Sequence, residues 1–515
     1  MNTWSLVDYY NDFITKNKLS ERKAIEETLR RLDQGKSVLL KAPTGYGKTT
    51  LTKILANAVT KGNEVGSRVI HVLPLRAIVE DLYGKLIEDS KRGIIYTRSI
   101  GAQDMDYSDA PFFIKKVTIT TLDTFVMNLF KLPPAELYNI FKNYGSHYEL
   151  PRAMIYSSIV IFDEVHLMGE EGRPLTAALA SMKVLKEAEV PLVIMSATVD
   201  QGLEEIIRKY INVDVVEAND YHINRQIRVI KLENEDPIED AKRQVMSGKR
   251  VLLIFNTRKD AIDAYKRLRD LNPVLIHAKF NREDRRELTR KVLDPKTRLV
   301  ISTQVIEAGV DTTFDVLITE AAPAHNLIQR AGRVARYGGY GEVHVFPISK
   351  ESLYIYDKEE VEETYNKLGD TIDASILPTR KYDVDELLMH DLGVIDYIYA
   401  DSGDARKLQE IICNITREVS IIMGFPPNTD DPKYAVPLTE CEAVKLIKEG
   451  QPLVPEGRKL ELRFVEKYNI CFNVDKAIER KKLKLSTLCL QTEFLKNSIL
   501  GIRIKGYDSE VGAYV

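Results

Sequence analysis

Residues 37–50 read SVLLKAPTGYGKTT, and this stretch decides the fold. The run at 37–41 is mostly apolar and leads into a turn with two glycines, and residues 50–61 then show helical spacing of apolar side chains. A buried strand that passes through a glycine-rich turn into a helix is the setting of a phosphate-binding loop. The stretch therefore predicts an α/β fold with an anion site at the end of a strand.

The loop itself, Ala42–Thr50, predicts how a nucleoside triphosphate is held. Gly45 and Gly47 let backbone N–H groups turn toward the phosphates, and the following helix offers its positive N-terminal end to the same anion. Lys48 would reach the β- and γ-phosphates, and the Thr49 hydroxyl would bind Mg²⁺. The strict pattern begins with Gly and this loop begins with Ala, so a glycine-rich turn without a ligand stays open as an alternative. The candidate nucleotide-binding residues of the loop are Ala42, Pro43, Thr44, Gly45, Tyr46, Gly47, Lys48, Thr49 and Thr50.

Outside the loop, short runs rich in Val and Ile alternate with longer amphipathic segments. Near-continuous apolarity over a few residues is typical of strands buried on both faces of a parallel sheet. The runs lie at 68–73, 117–120, 158–163 and 192–196, and the pattern restarts at 250–256, 274–277, 298–302, 315–319 and 342–346. Two successive α/β units are therefore expected.

The length of 515 residues predicts two or three domains. We expect one α/β domain at 1–215 and a second at 216–350. Residues 351–515 are more charged and show helical spacing, which predicts a smaller, mostly helical accessory region. Its basic run at 479–484 is interpreted either as a solvated helix face or as a contact with nucleic acid or a partner.

The composition excludes several classes of protein. Lys and Arg number 73 against 76 Asp and Glu, and 44% of the residues are hydrophobic, which is a globular mix without a general basic coat for nucleic acid. A local basic groove is compatible with this balance. No apolar run approaches the roughly 18 residues of a membrane span, and Met1–Leu19 has no signal-peptide core. The four cysteines form no CxxC pair, so we expect neither a zinc site nor a disulfide framework, and we expect a cytoplasmic protein without a membrane partner.

A second motif, VIFDEVH at 160–166, places acidic residues directly after a predicted strand. Parallel sheets bind ligands at the carboxyl ends of their strands, so these carboxylates are expected to face the same nucleotide as the phosphate loop. Asp163 is a candidate Mg²⁺ ligand, and Glu164 is a candidate to orient and deprotonate the attacking water. His166 would link the site to a second surface. The alternative is a solvated acidic turn after a buried strand.

Eight ordered motifs between residues 42 and 336 resemble those of superfamily 2 helicases. They are APTGYGKTT at 42–50, LPLRAIVE at 73–80, TITTLDTF at 118–125, DEVH at 163–166, SAT at 196–198, IFNTRKDA at 254–261, STQVIEAGVD at 302–311 and QRAGRVAR at 329–336. The resemblance implies two tandem RecA-like parallel-sheet domains, with ATP and Mg²⁺ as cofactors. It also implies that His166, Ser196 and Thr198 couple hydrolysis to movement, and that Gly309 and Asp311 lie near the ribose.

The last motif supplies the positive charge that an isolated phosphate-loop domain lacks. A cation from a second lobe stabilises the charge that develops on the γ-phosphate. Arg333 and Arg336 are three positions apart, which predicts a shared helical face, and we expect them to act as arginine fingers. Gln329 would contact the γ-phosphate, and Arg330 would brace the motif. A solvated basic helix is the alternative.

Nucleotide-driven closing and opening of two lobes predicts stepwise movement along one nucleic-acid strand. The strand would be held mainly through its phosphates, by backbone N–H groups, hydroxyls and some basic side chains. The candidates at the corresponding motif positions are Arg76, Thr121, Arg258 and Thr303.

The variant DEVH, together with TITTLDTF, STQVIEAGVD and QRAGRVARYG, resembles the CRISPR-associated helicases, the motor half of the type I interference nuclease-helicase. That resemblance implies 3′ to 5′ movement on single-stranded DNA and recruitment to the displaced strand by an RNA-guided surveillance complex. The family chain also carries an HD-type metal nuclease domain. Here the only adjacent His-Asp pair is His390-Asp391, so a separate HD nuclease subunit is expected. The stretch 19–33 lacks the Gln that many superfamily 2 helicases use for adenine, which leaves the base preference open.

Two other functions remain as alternatives. The first is a different superfamily 2 ATPase that remodels RNA or DNA. The second is a regulatory module that binds nucleotide and a partner with little turnover. Glu164, Arg333 and Arg336 count against the regulatory module, because a pure binding protein needs neither a water-orienting acid nor arginine fingers.

Overall fold

The computed structural model describes most of the chain. The described residues are 4–43, 45–104, 107–136, 147–168, 173–220, 224–307, 311–378, 381–400, 422–460, 490, 493–494 and 497–515. Three of the sequence predictions fall outside them, namely those on Thr44, Gly309 and the basic run at 479–484.

The chain divides into two compact units. Unit 1 comprises residues 1–222, 379–419 and 486–488, and unit 2 comprises 223–378, 420–485 and 489–515. Both units draw on residues beyond 350, and the predicted domain ranges 1–215, 216–350 and 351–515 stay a prediction.

Unit 1 is built on a parallel sheet. Its strands are β1 (Val38–Lys41), β2 (Arg68–Leu73), β3 (Ile100–Gln103), β4 (Val117–Thr121), β5 (Ser158–Phe162), β6 (Leu192–Ser196) and β7 (Asp214–Glu217). The order across the sheet is β3-β4-β2-β5-β6-β1-β7, and every neighbouring pair is parallel. All residues of β4, β5 and β6 are buried, which explains the near-continuous apolar sequence of β5 and β6.

Helices connect and cover these strands. They are α1 (Leu6–Asn17), α2 (Lys23–Asp33), α3 (Lys48–Thr60), α4 (Arg76–Lys91), α5 (Leu122–Leu129), α6 (Glu149–Tyr156), α7 (Arg173–Glu187) and α8 (Gln201–Ile211). Local sequence explains several helix starts. Ser5 and Asp8 form a capping box at α1, and Asp200 accepts from the Leu203 N–H at the start of α8.

Unit 2 contains a second parallel sheet. Its strands are β8 (Arg225–Lys231), β9 (Val251–Ile254), β10 (Val274–Ile276), β11 (Leu299–Ser302), β12 (Val316–Glu320) and β13 (Gly339–Phe346). The order is β10-β11-β9-β12-β13-β8, and all its pairs are parallel. The helices are α9 (Pro237–Met246), α10 (Arg258–Arg267), α11 (Arg282–Leu293), α12 (Ala324–Ala331) and α13 (Lys358–Lys367). The predicted fold class, two α/β parallel-sheet domains, is confirmed.

No strand was predicted at β3, β7 or β8, each of which lies at an edge of its sheet. β8 reads RQIRVIK and lies at the edge of the sheet, where several of its side chains are only partly buried. An edge strand needs no continuous apolar run, so the pattern that identified the inner strands does not apply to it.

Residues beyond 380 add helices and two small sheets. The elements are α14 (Asp385–Ala400), β14 (Ile422–Phe425), β15 (Val436–Leu438), α15 (Glu440–Lys448), β16 (Leu453–Val454), β17 (Gly501–Arg503), β18 (Gly506–Asp508) and β19 (Gly512–Tyr514). A helical C-terminal region was expected, but the four-stranded sheet β15-β14-β17-β16 and the hairpin β18-β19 were not. Cys441 is disulfide-bonded, which the cysteine spacing did not predict. Among the described residues, none of the helices has both the length and the apolar character needed to cross a membrane.

The hairpin β18-β19 packs against the segment that follows β10. The Ala513 N–H donates to the Lys279 carbonyl at 2.9 Å. His277, which is 1% exposed, is bonded at both ring nitrogens: Nε2 lies 3.1 Å from the Val511 carbonyl, and Nδ1 accepts from the Lys279 N–H at 3.2 Å. Burial, together with the nearby Arg258 guanidinium, lowers the pKa of His277 to about 3. The neutral ring therefore joins the hairpin to the segment that follows β10.

We predict that unit 2 loses stability as the pH falls below the pKa of an ordinary histidine side chain. The folded pKa of His277 lies below the unfolded value of roughly 6.5, so the unfolded state binds the extra proton first. The free energy of unfolding should fall by about 1 kcal/mol between pH 7.5 and pH 5.5 from this group alone. Guanidinium unfolding of wild type and His277→Gln at both pH values measures the difference. Parallel pH profiles for the two proteins would contradict the assignment.

Candidate active site

The phosphate loop lies between β1 and α3 of unit 1. The Ala42 N–H donates to the Ser196 carbonyl at 3.0 Å, which ties the start of the loop to the end of β6. Gly45 and Gly47 have φ values of 85° and 99°, a conformation that favours glycine, and Gly47 caps the N-terminus of α3. The first turn of this 13-residue helix carries Lys48 and Thr49. Backbone donors and a helix N-terminus therefore meet at one place, as an anion site requires.

Lys48 lies within reach of both predicted acidic residues. Its ammonium donates to Glu164 Oε1 at 3.0 Å and lies 3.8 Å from Asp163 Oδ1. The Lys48 side chain is only 10% exposed, so its charge depends on these carboxylates. The structure thus brings together the three residues that the sequence assigned to catalysis in unit 1.

Asp163 follows β5 directly and is held at both carboxylate oxygens. The Glu164 N–H donates to Oδ1 at 2.9 Å, and His71 Nε2 lies 3.3 Å from Oδ2. Burial raises the pKa of Asp163, but the Lys48 ammonium and the hydrogen bond from His71 outweigh burial and lower it overall. Asp163 is therefore a carboxylate at neutral pH. Mg²⁺ is usually bound by one or two protein oxygens together with substrate phosphates. Here the Asp163 carboxylate and the Thr49 hydroxyl would hold it.

Glu164 has a left-handed backbone conformation with φ of 53°. This conformation costs a non-glycine residue of order 1–3 kcal/mol and is found most often at functional sites. Its second carboxylate oxygen, Oε2, lies 3.5 Å from His166 Nδ1. The strain and the short turn set the Glu164 carboxylate beside the Lys48 ammonium.

A buried chain of polar groups continues from the acidic turn to the end of β6. His166 Nδ1 lies 2.7 Å from Ser196 Oγ, and Ser196 Oγ lies 2.9 Å from the Thr198 carbonyl. The three residues are nearly inaccessible to solvent. The structure therefore joins the three predicted coupling residues in one network.

Tyr46 uses its side chain away from any phosphate. The buried hydroxyl donates to Asp220 Oδ1 at 2.8 Å and accepts from the Ala24 N–H at 3.0 Å, and burial followed by Asp220 raises the pKa of Tyr46. Arg22 Nε donates to the Tyr46 carbonyl at 3.0 Å. The Tyr46 N–H donates to the Pro43 carbonyl at 3.2 Å within the loop, and the side chain anchors the loop to the helices before it.

In unit 2, Arg330 lies at the centre of a buried hydrogen-bond network. Nε donates to Glu307 Oε1 at 2.7 Å, Nη1 donates to Thr319 Oγ1 at 2.9 Å, and Nη2 donates to Asn256 Oδ1 at 2.9 Å. Burial lowers the pKa of Arg330, but Glu307 outweighs it and raises the pKa overall. Arg330 thus connects the motifs at 254–261, 302–311 and 329–336, which agrees with its predicted bracing position.

The expectation of a shared helical face for Arg333 and Arg336 was wrong. Helix α12 ends at Ala331, and Gly332 is its C-cap. The next residues leave the helix because Phe314 exchanges two backbone hydrogen bonds with them: its N–H donates to the Arg333 carbonyl at 2.9 Å, and its carbonyl accepts from the Ala335 N–H at 3.1 Å. Tertiary pairing has replaced the helical turn that the spacing suggested.

The two arginines have different surroundings. Arg333 is 5% exposed and donates to the Glu307 carbonyl. Arg336 is more accessible and donates from Nε to Asp311 Oδ1 at 2.9 Å. The neighbouring Gln329 is buried on α12. Asp311 is therefore a partner of Arg336, and its predicted place near a ribose stays a prediction.

Two of the predicted nucleic-acid contacts lie in each unit, and some of them already bond within the fold. Thr121 is buried and caps α5 through the Thr124 N–H, and Thr303 is also buried. Arg258 donates from Nη1 to the Ala513 carbonyl at 2.8 Å. Arg76 begins α4. The contact of these four residues with nucleic acid stays a prediction.

Sequence reasoning missed two residues of the sites. His71 bonds Asp163, and Glu307 binds Arg330 while its carbonyl accepts from Arg333. Both carried a readable signal. His71 is the one polar residue inside the otherwise apolar run VIHVL, and Glu307 lies within a quoted motif. A charged or polar side chain that is buried needs a hydrogen-bond partner, so its presence in an apolar run indicates a polar contact inside the fold.

The His390-Asp391 pair lies within α14. His390 Nδ1 is 3.3 Å from Asp391 Oδ1, and Asp391 is buried. Across the ranges that the structure describes, no group of three or more His, Cys, Asp and Glu side chains is arranged to hold a metal ion.

Two family models match the chain. The model described as DEAD/DEAH box helicase matches residues 21–206, and the model described as CRISPR-associated nuclease/helicase Cas3, C-terminal, matches residues 247–339. These matches, together with the parallel sheets, the phosphate loop and the acidic turn, support a helicase of superfamily 2. Within that class, the match to the Cas3 C-terminal model and the similarity to Cas3 relatives support a CRISPR-associated helicase.

Similar proteins agree with this placement. A CRISPR-associated helicase Cas3 of Thermoproteus tenax is 26% identical over 360 residues, which are 66% of this chain and 61% of the relative. The chain thus spans less than two thirds of that relative's length. A T. fusca Cas3-AMPPNP structure has a TM-score of 0.57 at 16% identity, with 76% of this chain and 56% of that chain covered. A structure titled CRISPR RNA-guided surveillance complex, pre-nicking, has a TM-score of 0.52 at 16% identity, with 75% and 55% covered. At such identities the solved structures show a shared fold.

The Arg330 network predicts a large loss of stability when its cation is removed. Arg330→Met should lower the free energy of unfolding by about 3–5 kcal/mol, because the buried Glu307 carboxylate would lose its cation and keep only the hydrogen bond from the Asn326 amide. The matched variant Arg290→Met, at an exposed position on α11, should change it by no more than about 0.5 kcal/mol. Guanidinium unfolding followed by circular dichroism measures both. Equal effects would contradict the central position of Arg330.

Proposed function

We propose that this protein is an ATP-dependent translocase and helicase that moves on single-stranded DNA. The observation that carries the proposal is the cluster of Lys48, Asp163 and Glu164 beside the phosphate loop at the carboxyl ends of parallel strands. The placement among CRISPR-associated superfamily 2 helicases supports the choice of reaction.

The residues of unit 1 would have separate roles in ATP hydrolysis. Backbone N–H groups of the loop would bind the phosphates, and Lys48 would exchange its carboxylate partners for phosphate oxygens. Thr49 and Asp163 would hold Mg²⁺, which neutralises phosphate charge when bound. Once Lys48 engages a phosphate, the Glu164 carboxylate would be available to orient water and accept its proton.

The residues of unit 2 would supply the remaining charge. We propose that Arg333 and Arg336 stabilise the transition state of ATP hydrolysis and that Gln329 contacts the γ-phosphate. Arg330, which is saturated with hydrogen bonds, would hold this motif in shape. His166, Ser196 and Thr198 would transmit the state of the nucleotide to the strand-binding surface.

The biological role we propose is target-DNA unwinding in type I CRISPR interference. The chain would act on the displaced strand after recruitment by an RNA-guided surveillance complex, and it would supply DNA to a separate HD nuclease subunit. The family placement supports this role, and so does the structural similarity to the surveillance-complex chain.

We expect ATP turnover that single-stranded DNA strongly stimulates. Lys48→Ala and Asp163→Ala should reduce turnover to background, whereas Lys53→Ala, on the same helix and paired with Asp89, should retain it. Glu164→Gln should bind ATP but hydrolyse it at least about 100-fold more slowly, because the general base is removed. A phosphate-release assay with and without DNA measures these rates.

The same assay separates the alternatives. Stimulation by RNA but not by DNA would favour an RNA-remodelling ATPase of superfamily 2. Turnover at background, with nucleotide binding that depends on a partner, would favour a regulatory module. A full rate without any nucleic acid would contradict the translocase.

We expect unwinding of duplexes that carry a 3′ single-stranded tail, without cleavage of the strand. A strand-displacement assay that compares 3′-tailed and 5′-tailed duplexes, with Mg²⁺ and ATP present, measures both the direction and the integrity of the products. Preference for the 5′ tail would contradict the proposed direction. Strand cleavage by the chain alone would contradict the need for a separate nuclease.

A further inference from the structure

Strand β2 carries a histidine at a position where its neighbours are apolar. His71 is 1% exposed, and in the sheet it lies opposite Ile119 of β4 and Ile161 of β5. Side chains two residues apart on a strand share a face, so His71, Ile161 and Asp163 project from the same side of the sheet. An apolar side chain here would avoid the cost of burying the two ring nitrogens.

Both ring nitrogens of His71 have partners that belong to the candidate active site. Nε2 lies 3.3 Å from Asp163 Oδ2. Because the Asp163 carboxylate can only accept, Nε2 carries the proton and donates it. Nδ1 lies 2.9 Å from the hydroxyl of Thr52, which is one helical turn beyond Lys48 on α3. The ring therefore connects the helix that follows the phosphate loop with the acidic end of β5.

The second oxygen of Asp163 is held independently. Oδ1 accepts from the Glu164 N–H at 2.9 Å. With Oδ2 bound by His71, the carboxylate is restrained at both oxygens and its plane is set before any ligand arrives. An outer partner that orients a metal-binding side chain in this way typically changes metal affinity by about 10–100-fold.

We infer that His71 is a positioning residue that orients Asp163 for metal-dependent nucleotide binding and links this orientation to α3 through Thr52. The inference rests on the proposed function, since it assumes that Asp163 takes part in holding Mg²⁺. His71 itself contacts neither the phosphate loop nor a reacting group. Its effect passes through the Asp163 carboxylate.

The test separates binding of nucleotide from the added effect of the metal. Affinity for a fluorescent, non-hydrolysable ATP analogue is measured on the full chain in excess MgCl₂ and in EDTA. In wild type, Mg²⁺ should tighten binding. In His71→Phe, which fills the space without a donor, the gain from Mg²⁺ should shrink about 10-fold, while affinity in EDTA stays unchanged.

Three further variants keep the test decisive. His71→Gln retains an N–H donor and should recover part of the Mg²⁺ effect. Thr52→Val keeps the shape of the side chain but loses the hydroxyl, and it should show a smaller defect of the same kind. Ile70→Val, a buried neighbour on β2, should lower thermal stability and leave the Mg²⁺ effect intact.

The outcomes distinguish this inference from the proposed function. Equal weakening of binding in MgCl₂ and in EDTA by His71→Phe would show a purely structural histidine and overturn the inference. An unchanged Mg²⁺ effect in His71→Phe would do the same while leaving the proposed function standing. If wild type itself bound no nucleotide, the proposed function would fall and the inference with it.

Discussion

The buried ammonium of Lys48 is the constraint on which unit 1 depends. Its side chain has little access to water, so its charge needs nearby carboxylates, and Asp163 and Glu164 provide them. Lys48 and Glu164 lie 116 positions apart along the chain. Only the parallel direction of β1 and β5, which brings their carboxyl ends to one edge, allows them to meet. The strand order, the phosphate loop and the strained turn at Glu164 together place the Lys48 ammonium beside the two carboxylates.

Unit 2 also has a buried cation, but of a different kind. Arg330 is fixed by a planar set of donors that bind Glu307, Thr319 and Asn256 at once. Lys48 has a compact charge that donates to Glu164 at 3.0 Å and lies 3.8 Å from the Asp163 carboxylate. An ammonium on a flexible stem can turn its donors to a new partner, whereas the planar guanidinium of Arg330 cannot do so without breaking several bonds. The physical difference agrees with a ligand-binding lysine and a bracing arginine.

Much of the fold was predictable because inner strands such as β5 and β6 are buried on both faces and read as continuous apolar runs. The strands of the two large sheets that were not predicted, β3, β7 and β8, all lie at sheet edges. The edge strand β8 is only partly buried, and the small sheets after residue 420 are built from strands of two to four residues, which are too short to show a period. The arginines of the last motif were placed on a helix by spacing alone. Their pairing with Phe314 is a contact between distant segments, which spacing does not report.

By itself, the sequence determined the order of the motifs, the class of the fold and the identity of the loop, lysine and acidic residues, because these depend on local patterns and on residue chemistry. Tertiary structure alone decided which groups touch. In the folded chain, His71 of the neighbouring strand bonds Asp163, and Glu307 binds Arg330. Thr121 and Arg258 form hydrogen bonds within the protein. The reason is physical: a buried polar group must find a partner in space, and that partner is set by strand order and packing rather than by distance along the chain.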